Sequence, residues 1–308
     1  MSNRFRPHLA LVTVQVLFGT WPIVGKIVLR SLTVTSLVAF RLVGAAIAFA
    51  LLQRRLKPLL KMPRNDFLLL VLCSICGVVG NQLLYVKALS LTTVINAALL
   101  TATIPVITLF VSILFRYDHW SLKRVAGIAL ACAGVVYLVN PAQAALSSQT
   151  TVGNLLLLCN GLLYAVYLVI SKRLLERYGA LNVITWIFLV SAVMVAPLGF
   201  YSFSHENVAA ISWTVWLLVG LVILFPTVGA YYLNSWALTH VSPSTAAIYI
   251  YLQPLIAFGF APLFLGERWN SRATVATLLI FAGVALVTTP GRSRAVREIS
   301  EHPDALAH

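Results

Sequence analysis

Ten stretches of roughly 20 predominantly apolar residues follow one another along the chain and account for most of it. They run at about 9–29, 35–53, 66–88, 93–115, 124–140, 152–172, 183–203, 213–237, 243–265 and 273–290. Each is close to the length a helix needs to cross a hydrocarbon layer about 30 Å thick. Only 10% of the residues are charged and 60% are hydrophobic, whereas a soluble domain carries about 25% charged residues. No room is left for a soluble domain. The expected fold is therefore an all-α polytopic membrane protein with ten transmembrane helices. Its first run follows a basic start, "MSNRFRPH", but is too long for a signal peptide and lacks a small-residue cleavage site, so it reads as a retained helix.

The net charge of +14 has a distribution that speaks for topology and against nucleic acid. With the N-terminus inside, 16 of the 22 Lys and Arg fall on cytoplasmic segments. These are Arg4 and Arg6; Arg54, Arg55, Lys57, Lys61 and Arg64; Arg116, Lys123 and Arg124; Lys172, Arg173 and Arg177; and Arg292, Arg294 and Arg297. Only Arg30, Arg268 and Arg272 fall on the opposite side. Such a bias sets orientation, so both termini are expected in the cytoplasm and the protein in the cytoplasmic (inner) membrane.

The four cysteines, Cys73, Cys76, Cys132 and Cys159, all lie inside apolar runs. The "CSIC" pair lacks both a βαβ context and a second pair of ligands. They are read as buried small hydrophobes, and no metal site or cofactor is expected.

The chain repeats itself. Residues 88–138 align with 237–287 at a constant offset of 149, with 13 identities in 51 positions. Pro105/Pro254, Trp120/Trp269 and Gly134/Gly283 fall in register, as does the acidic pair Asp118/Glu267. A weaker echo links "LFGTWPIVGK" (17–26) with "LYAVYLVISK" (163–172). The division expected is a first five-helix repeat over 1–148, a second over 149–291, and a cytoplasmic tail over 292–308. Five is odd, so the second copy would cross the membrane in the opposite sense to the first. Inverted repeats recur in secondary transporters, whose substrates bind near the midplane between the halves.

At this point the sequence resembles a known family. Ten runs in two copies, each with "AL…AA…P" followed by an acidic residue and "AGV", resemble the EamA family of the drug/metabolite transporter superfamily. The stretches that carry the resemblance are "ALSLTTVINAALLTATIPV…YDHW…GIALACAGVVYL" and "ALTHVSPSTAAIYIYLQPLIAFGFAPLFLGERWNSRATVATLLIFAGVAL". The first run departs from the family pattern, with Phe18-Gly19 in place of Trp-Gly, and the first acidic position is Asp118 in place of Glu. The resemblance implies export or exchange of small metabolites such as amino acids and sugars, without fixing which.

Several residues could carry that activity. Pro105 and Pro254 lie in mid-run at equivalent positions, where a proline frees the carbonyl four residues earlier, here those of Thr101 and Ile250. They act either as static kinks or as a symmetric pair of hinges. Gly127, Ala131 and Gly134 place small groups on one helix face and read as scaffold. Three cations lie within runs: Lys26, Arg41 and Lys87. Lys26 and Lys87 are near run ends and are expected to reach the outer headgroups. Arg41 sits about two turns in, with no acidic residue in any run to pair with, so it either packs on backbone carbonyls or faces a wet cavity that admits an anion.

The expected cavity lining is polar and aromatic: Gln15, Trp21, Arg41, Asn81, Gln82, Tyr85, Asn96 and Thr103 from the first half, and Asn160, Tyr164, Tyr167, Tyr231, Asn234, Tyr249 and Gln253 from the second. Such groups are disfavoured against lipid and turn toward the bundle interior.

All acidic residues and histidines lie at run ends or in loops. Proton-coupled carriers relay protons through intramembrane Asp, Glu or His, so the expected mode is facilitated diffusion or exchange. The same absence argues against an intramembrane enzyme, which needs a nucleophile with its base, paired carboxylates or metal ligands. The function expected is a secondary transporter of small polar metabolites, amino acids or related compounds first. The alternative is an exchanger of phosphorylated or carboxylated anions that uses the buried cations. The partners expected are a small-molecule substrate and the lipid bilayer, not nucleic acid, and a monomer is compatible with this reading.

Overall fold

The computed structural model describes residues 6–53, 62–115, 121–139, 148–267 and 271–288. Within them the chain is helical and contains no strand. Ten helical rods follow the ten apolar runs: α1 Arg6–Val28, α2 Val34–Leu52, α3 Arg64–Leu91, α4 Val94–Leu114, α5 Leu122–Val139, α6 Gln149–Tyr178, α7 Ala180–Ser204, α8 Trp213–Leu238, α9 Pro243–Leu265 and α10 Ser271–Thr288. Among the described residues eight of these, all but α5 and α10, are long and apolar enough to cross a membrane. The other two have 18 residues each, about 27 Å of helix, with apolar cores at Val125–Gly134 and Thr274–Gly283. Asp118, Trp120, Arg268, Trp269 and the 292–308 tail lie outside the described residues, as do Arg54, Arg55, Lys57, Lys61 and Arg116.

Helix starts are written locally. Thr33, Thr93, Ser148 and Ser242 stand just before α2, α4, α6 and α9, and each hydroxyl accepts a hydrogen bond from the backbone N–H three residues on. Such caps satisfy one of the N–H groups a helix start leaves unpaired. Thr93 and Ser242 occupy equivalent positions of the repeat. Gly179 alone joins α6 to α7, at φ 81°, a left-handed conformation that other residues avoid.

The packing has a regular pattern. Helix α1 packs on α8 and α9 as α6 packs on α3 and α4, and α2 on α8 matches α7 on α3. Three further pairs, α2 with α7, α4 with α9 and α5 with α10, join a helix to its own counterpart five places on. Irregularities recur at equivalent points as well. A π-helical turn interrupts α3 at Ile75–Val79 and α8 at Ile223–Gly229. Helix α4 breaks after Thr101 and restarts at Ile104, and α9 passes through a 3₁₀ turn at Tyr249–Tyr251.

These interruptions locate the two mid-run prolines. Pro105 is the second residue of a restarted helix and Pro254 the third residue after its 3₁₀ turn. In a first turn the missing N–H has no intrahelical partner to lose, so Pro105 does not carry the cost of a mid-helix proline.

Close approaches follow the small residues. Gly134 of α5 lies against Ile280 of α10, and Gly77 in the π-turn of α3 lies against the ring of the fully buried Tyr167. Cys73 and Cys76 are buried as expected, but Cys132 and Cys159 are exposed on the outer faces of α5 and α6. A lipid-facing position takes a small hydrophobe as readily as a core position does.

Ionic contacts hold the helix ends. Asp66 at the start of α3 is buried and accepts from Arg177 Nη1 and the Tyr178 hydroxyl, each at 2.7 Å, with Arg173 at 3.6 Å. Lys172 donates to the carbonyls of Leu238, the last residue of α8, and of Val241 just past it, at 3.0 and 2.9 Å.

Candidate functional site

The site begins with two adjacent residues of α8. Pro226 has no N–H and its ring displaces the carbonyl four residues earlier, that of Val222. The Thr227 hydroxyl takes up this carbonyl, donating to Val222 O at 2.8 Å across the π-turn. With its proton committed, the Thr227 oxygen is free to accept, and Arg41 Nε of α2 donates to it at 3.1 Å. Sequence therefore sets the break, the break orients a hydroxyl, and the hydroxyl holds a cation.

Arg41 is only 2% exposed. Its guanidinium lies over the Trp21 ring, 3.9 Å from the centroid, a cation–π arrangement that strengthens where water is excluded. Among the described residues no carboxylate pairs with it, and it makes no other hydrogen bond to protein. Of the two expected alternatives, backbone carbonyls do not hold it, since its partner is the Thr227 hydroxyl, and it borders a cavity.

That cavity has a volume of about 60 Å³, several times the 10–15 Å³ or so that one water needs. From the first half it is lined by Phe18, Trp21, Arg41, Asn81, Gln82, Tyr85, Thr101 and Ile104. From the second come Asn160, Tyr164, Tyr231, Ile250 and Gln253. Thr101, Ile104 and Ile250 stand at the interruptions of α4 and α9, so the cavity sits where both helices lose regularity.

Its polar groups divide into satisfied and unsatisfied. Asn160 Nδ2 donates to Asn81 O at 2.8 Å. The Tyr231 hydroxyl is 3.3 Å from Gly77 O and 3.4 Å from Asn81 Oδ1. Gln82 differs: it is 2% exposed, and neither its amide nitrogen nor its oxygen has a hydrogen-bond partner. It lies beside the Tyr231 hydroxyl without geometry good enough for a bond.

Of the expected lining residues, Trp21, Arg41, Asn81, Gln82, Tyr85, Asn160, Tyr164, Tyr231 and Gln253 border the cavity. Six do not, each because another group claims it. Gln15 accepts from Gln253 Nε2 at 2.6 Å and stands behind it. Asn96 is in the first turn of α4, where its side chain donates to the Thr92 hydroxyl at 3.3 Å. Thr103 turns back to Leu100 O at 2.7 Å. Tyr167 fills the space beside Gly77, its hydroxyl 3.5 Å from Ser235 Oγ. Asn234 donates to the Tyr164 hydroxyl at 3.3 Å from outside the lining. The Tyr249 hydroxyl is 2.6 Å from His8 Nδ1, near the start of α1.

The other two cations also lie away from the cavity. Lys26 does not simply reach for headgroups, since Glu267 is 3.9 Å away. Lys87 is exposed.

Sequence reasoning missed Phe18, Thr101, Ile104 and Ile250, and also Thr227. An apolar residue facing a cavity carries no signal that separates it from one facing lipid. Thr227 had a signal, the Pro-Thr pair inside an apolar run.

Comparison with known proteins agrees with this architecture. The model of the EamA-like transporter family matches residues 6–140 and again 151–289. An uncharacterized transporter of Archaeoglobus fulgidus is 29% identical over 294 residues, 92% of this chain and 97% of that protein. A probable terminal-alkyne amino-acid exporter of Streptantibioticus cattleyicolor is 28% identical, over 82% of this chain and 84% of that one. A solved crystal structure superimposes with a TM-score of 0.67 at 19% identity, covering 93% of this chain and 98% of the other, and so shares the fold. This multi-pass membrane protein belongs to the EamA-like transporter family.

Proposed function

We propose that the chain is a secondary transporter of small polar metabolites, amino acids and related compounds first among them. It works as an exporter, facilitator or exchanger by alternating access between two inverted five-helix repeats. The observation that carries this reading is the cavity itself, lined from both halves at the interruptions of α4 and α9. A site built at broken helices between two related halves is an arrangement that recurs in alternating-access transporters.

In this reading all ten helices span the cytoplasmic membrane with both termini inside. The repeats are residues 1–148 and 149–291, and a single chain suffices. The restarts before Pro105 and Pro254 are the hinges at which the halves of α4 and α9 move separately. The exchange symmetry of the helix packing and the two matches to one family model support the repeat. The name of the Streptantibioticus relative supports amino acids. Arg41 favours a second reading, exchange of organic anions, narrowed to one cation because Lys26 and Lys87 lie away from the cavity.

The test is counterflow in proteoliposomes of the purified protein. Vesicles loaded with a mixed pool of amino acids, organic acids and sugars are assayed for uptake of each labelled member. Accelerated uptake of at least one amino acid, absent from protein-free vesicles, is expected. No flux of any member would sink the transporter reading.

A further inference from the structure

We propose, resting on the transporter reading, that the cavity recognises its substrate by a single carboxylate docked between Arg41 and Gln82, and that a substrate amino group is not needed for binding.

Arg41 is a buried cation with one hydroxyl partner, one aromatic face, and no carboxylate among the described residues. A buried charge left without a counter-charge is costly, and a monoanion entering the cavity cancels it. A guanidinium is also a two-pronged donor that matches the geometry of a carboxylate. Here Nε is spent on Thr227, which leaves the terminal nitrogens for the ligand. A phosphate monoester would bring close to two negative charges against one cation and leave net charge buried, so the monocarboxylate is the class that fits.

Gln82 is the second, independent sign. Buried amides in folded proteins have partners, and an exception calls for an explanation. Its free N–H₂ is a donor for a carboxylate oxygen beside Arg41, and its free carbonyl is an acceptor for a hydroxyl or amino group on the adjacent carbon.

The amino end of a zwitterion meets nothing comparable. Among the described residues no acidic one borders the cavity. The Trp21 face, the strongest receptor for an ammonium group, is already covered by Arg41 at 3.9 Å. The site therefore grips the acid end by charge and the other end by hydrogen bonds and shape.

The experiment uses the full-length protein in detergent and matched ligand trios: each amino acid, its 2-hydroxy-acid analogue and its amide. Thermal shift and direct titration give affinities. For the side chains that bind, acid and hydroxy acid should agree within about threefold, and the amide should be weaker by tenfold or more, on the scale of one charge-assisted contact. Arg41→Gln should abolish the acid-over-amide preference.

Because Arg41→Gln also removes the contacts to Trp21 and Thr227, Gln82→Met supplies a second arm. Removing an orphaned amide should raise the melting temperature of the empty protein while weakening the acid by tenfold or more; a merely structural glutamine would lower the melting temperature and leave affinity alone. The proposal is overturned if amides bind as well as acids, if no acid binds, or if Gln82→Met retains native affinity. Flux separates this from the transporter reading. Amides carried as fast as acids would overturn the carboxylate rule and leave transport standing, whereas acid-selective binding without flux would do the reverse.

Discussion

Glu267 Oε1 accepts a hydrogen bond from the backbone N–H of Val94 at 2.8 Å, and its second oxygen takes the next N–H, that of Ile95, at 3.0 Å. A residue just past the end of α9 thus caps the start of α4, 173 positions away in sequence. The negative charge also faces the positive end of the α4 dipole, with Lys26 at 3.9 Å. The contact joins a helix of one half to its counterpart in the other.

Glu267→Ala should therefore lower stability by about 1–2 kcal/mol, the range for a lost cap with a favourable charge. Glu267→Gln keeps one acceptor and should lose less. Melting curves of both variants in detergent measure this. An unchanged transition in the alanine variant would mean that the cap is not formed in solution.

Gly77 and Tyr167 form a second cross-helix contact, and here the expected effect is steric. A Cβ at position 77 falls onto the Tyr167 ring, so Gly77→Ala overpacks a buried site and should cost about 1–3 kcal/mol. Tyr167→Leu in the same chain should recover part of that loss. The double-mutant cycle isolates the pair, and coupling below about 0.5 kcal/mol would place the two residues apart.

Energetic coupling follows from what the cavity lacks. Among the described residues its lining contains no Asp, Glu or His, the groups through which carriers relay protons across a membrane. In proteoliposomes, uptake should follow the substrate gradient and respond to substrate on the far side. An imposed pH gradient alone should not concentrate substrate. Accumulation driven by such a gradient would show a proton path through groups other than those lining the cavity.

How much of this was legible beforehand varies from residue to residue. Pro105 and Pro254 marked the interruptions of α4 and α9, because a proline constrains its own backbone whatever surrounds it. Only the structure places each of them in the first turns after an interruption. Arg41 stood out because an apolar run cannot hide a charge. Trp21, Asn81, Gln82, Tyr85, Tyr164, Tyr231 and Gln253 were found by polarity or aromaticity. The same rule swept in Gln15, Asn96, Thr103, Tyr167, Asn234 and Tyr249, whose polar atoms are taken up by neighbours.

The sequence by itself determined the helices, their apolar extent and the two related halves. Those depend on run length, on prolines and on internal similarity, all of which are local or self-referential. Tertiary structure alone decided that Thr227 would hold Arg41 across 186 positions, and that Ile104 and Ile250 would face a cavity and not lipid. In a soluble helix the boundary between water and core leaves a polar and an apolar face that periodicity reveals. In this membrane protein, lipid and protein interior are both apolar, so a side chain's facing is set only by which helix packs against it.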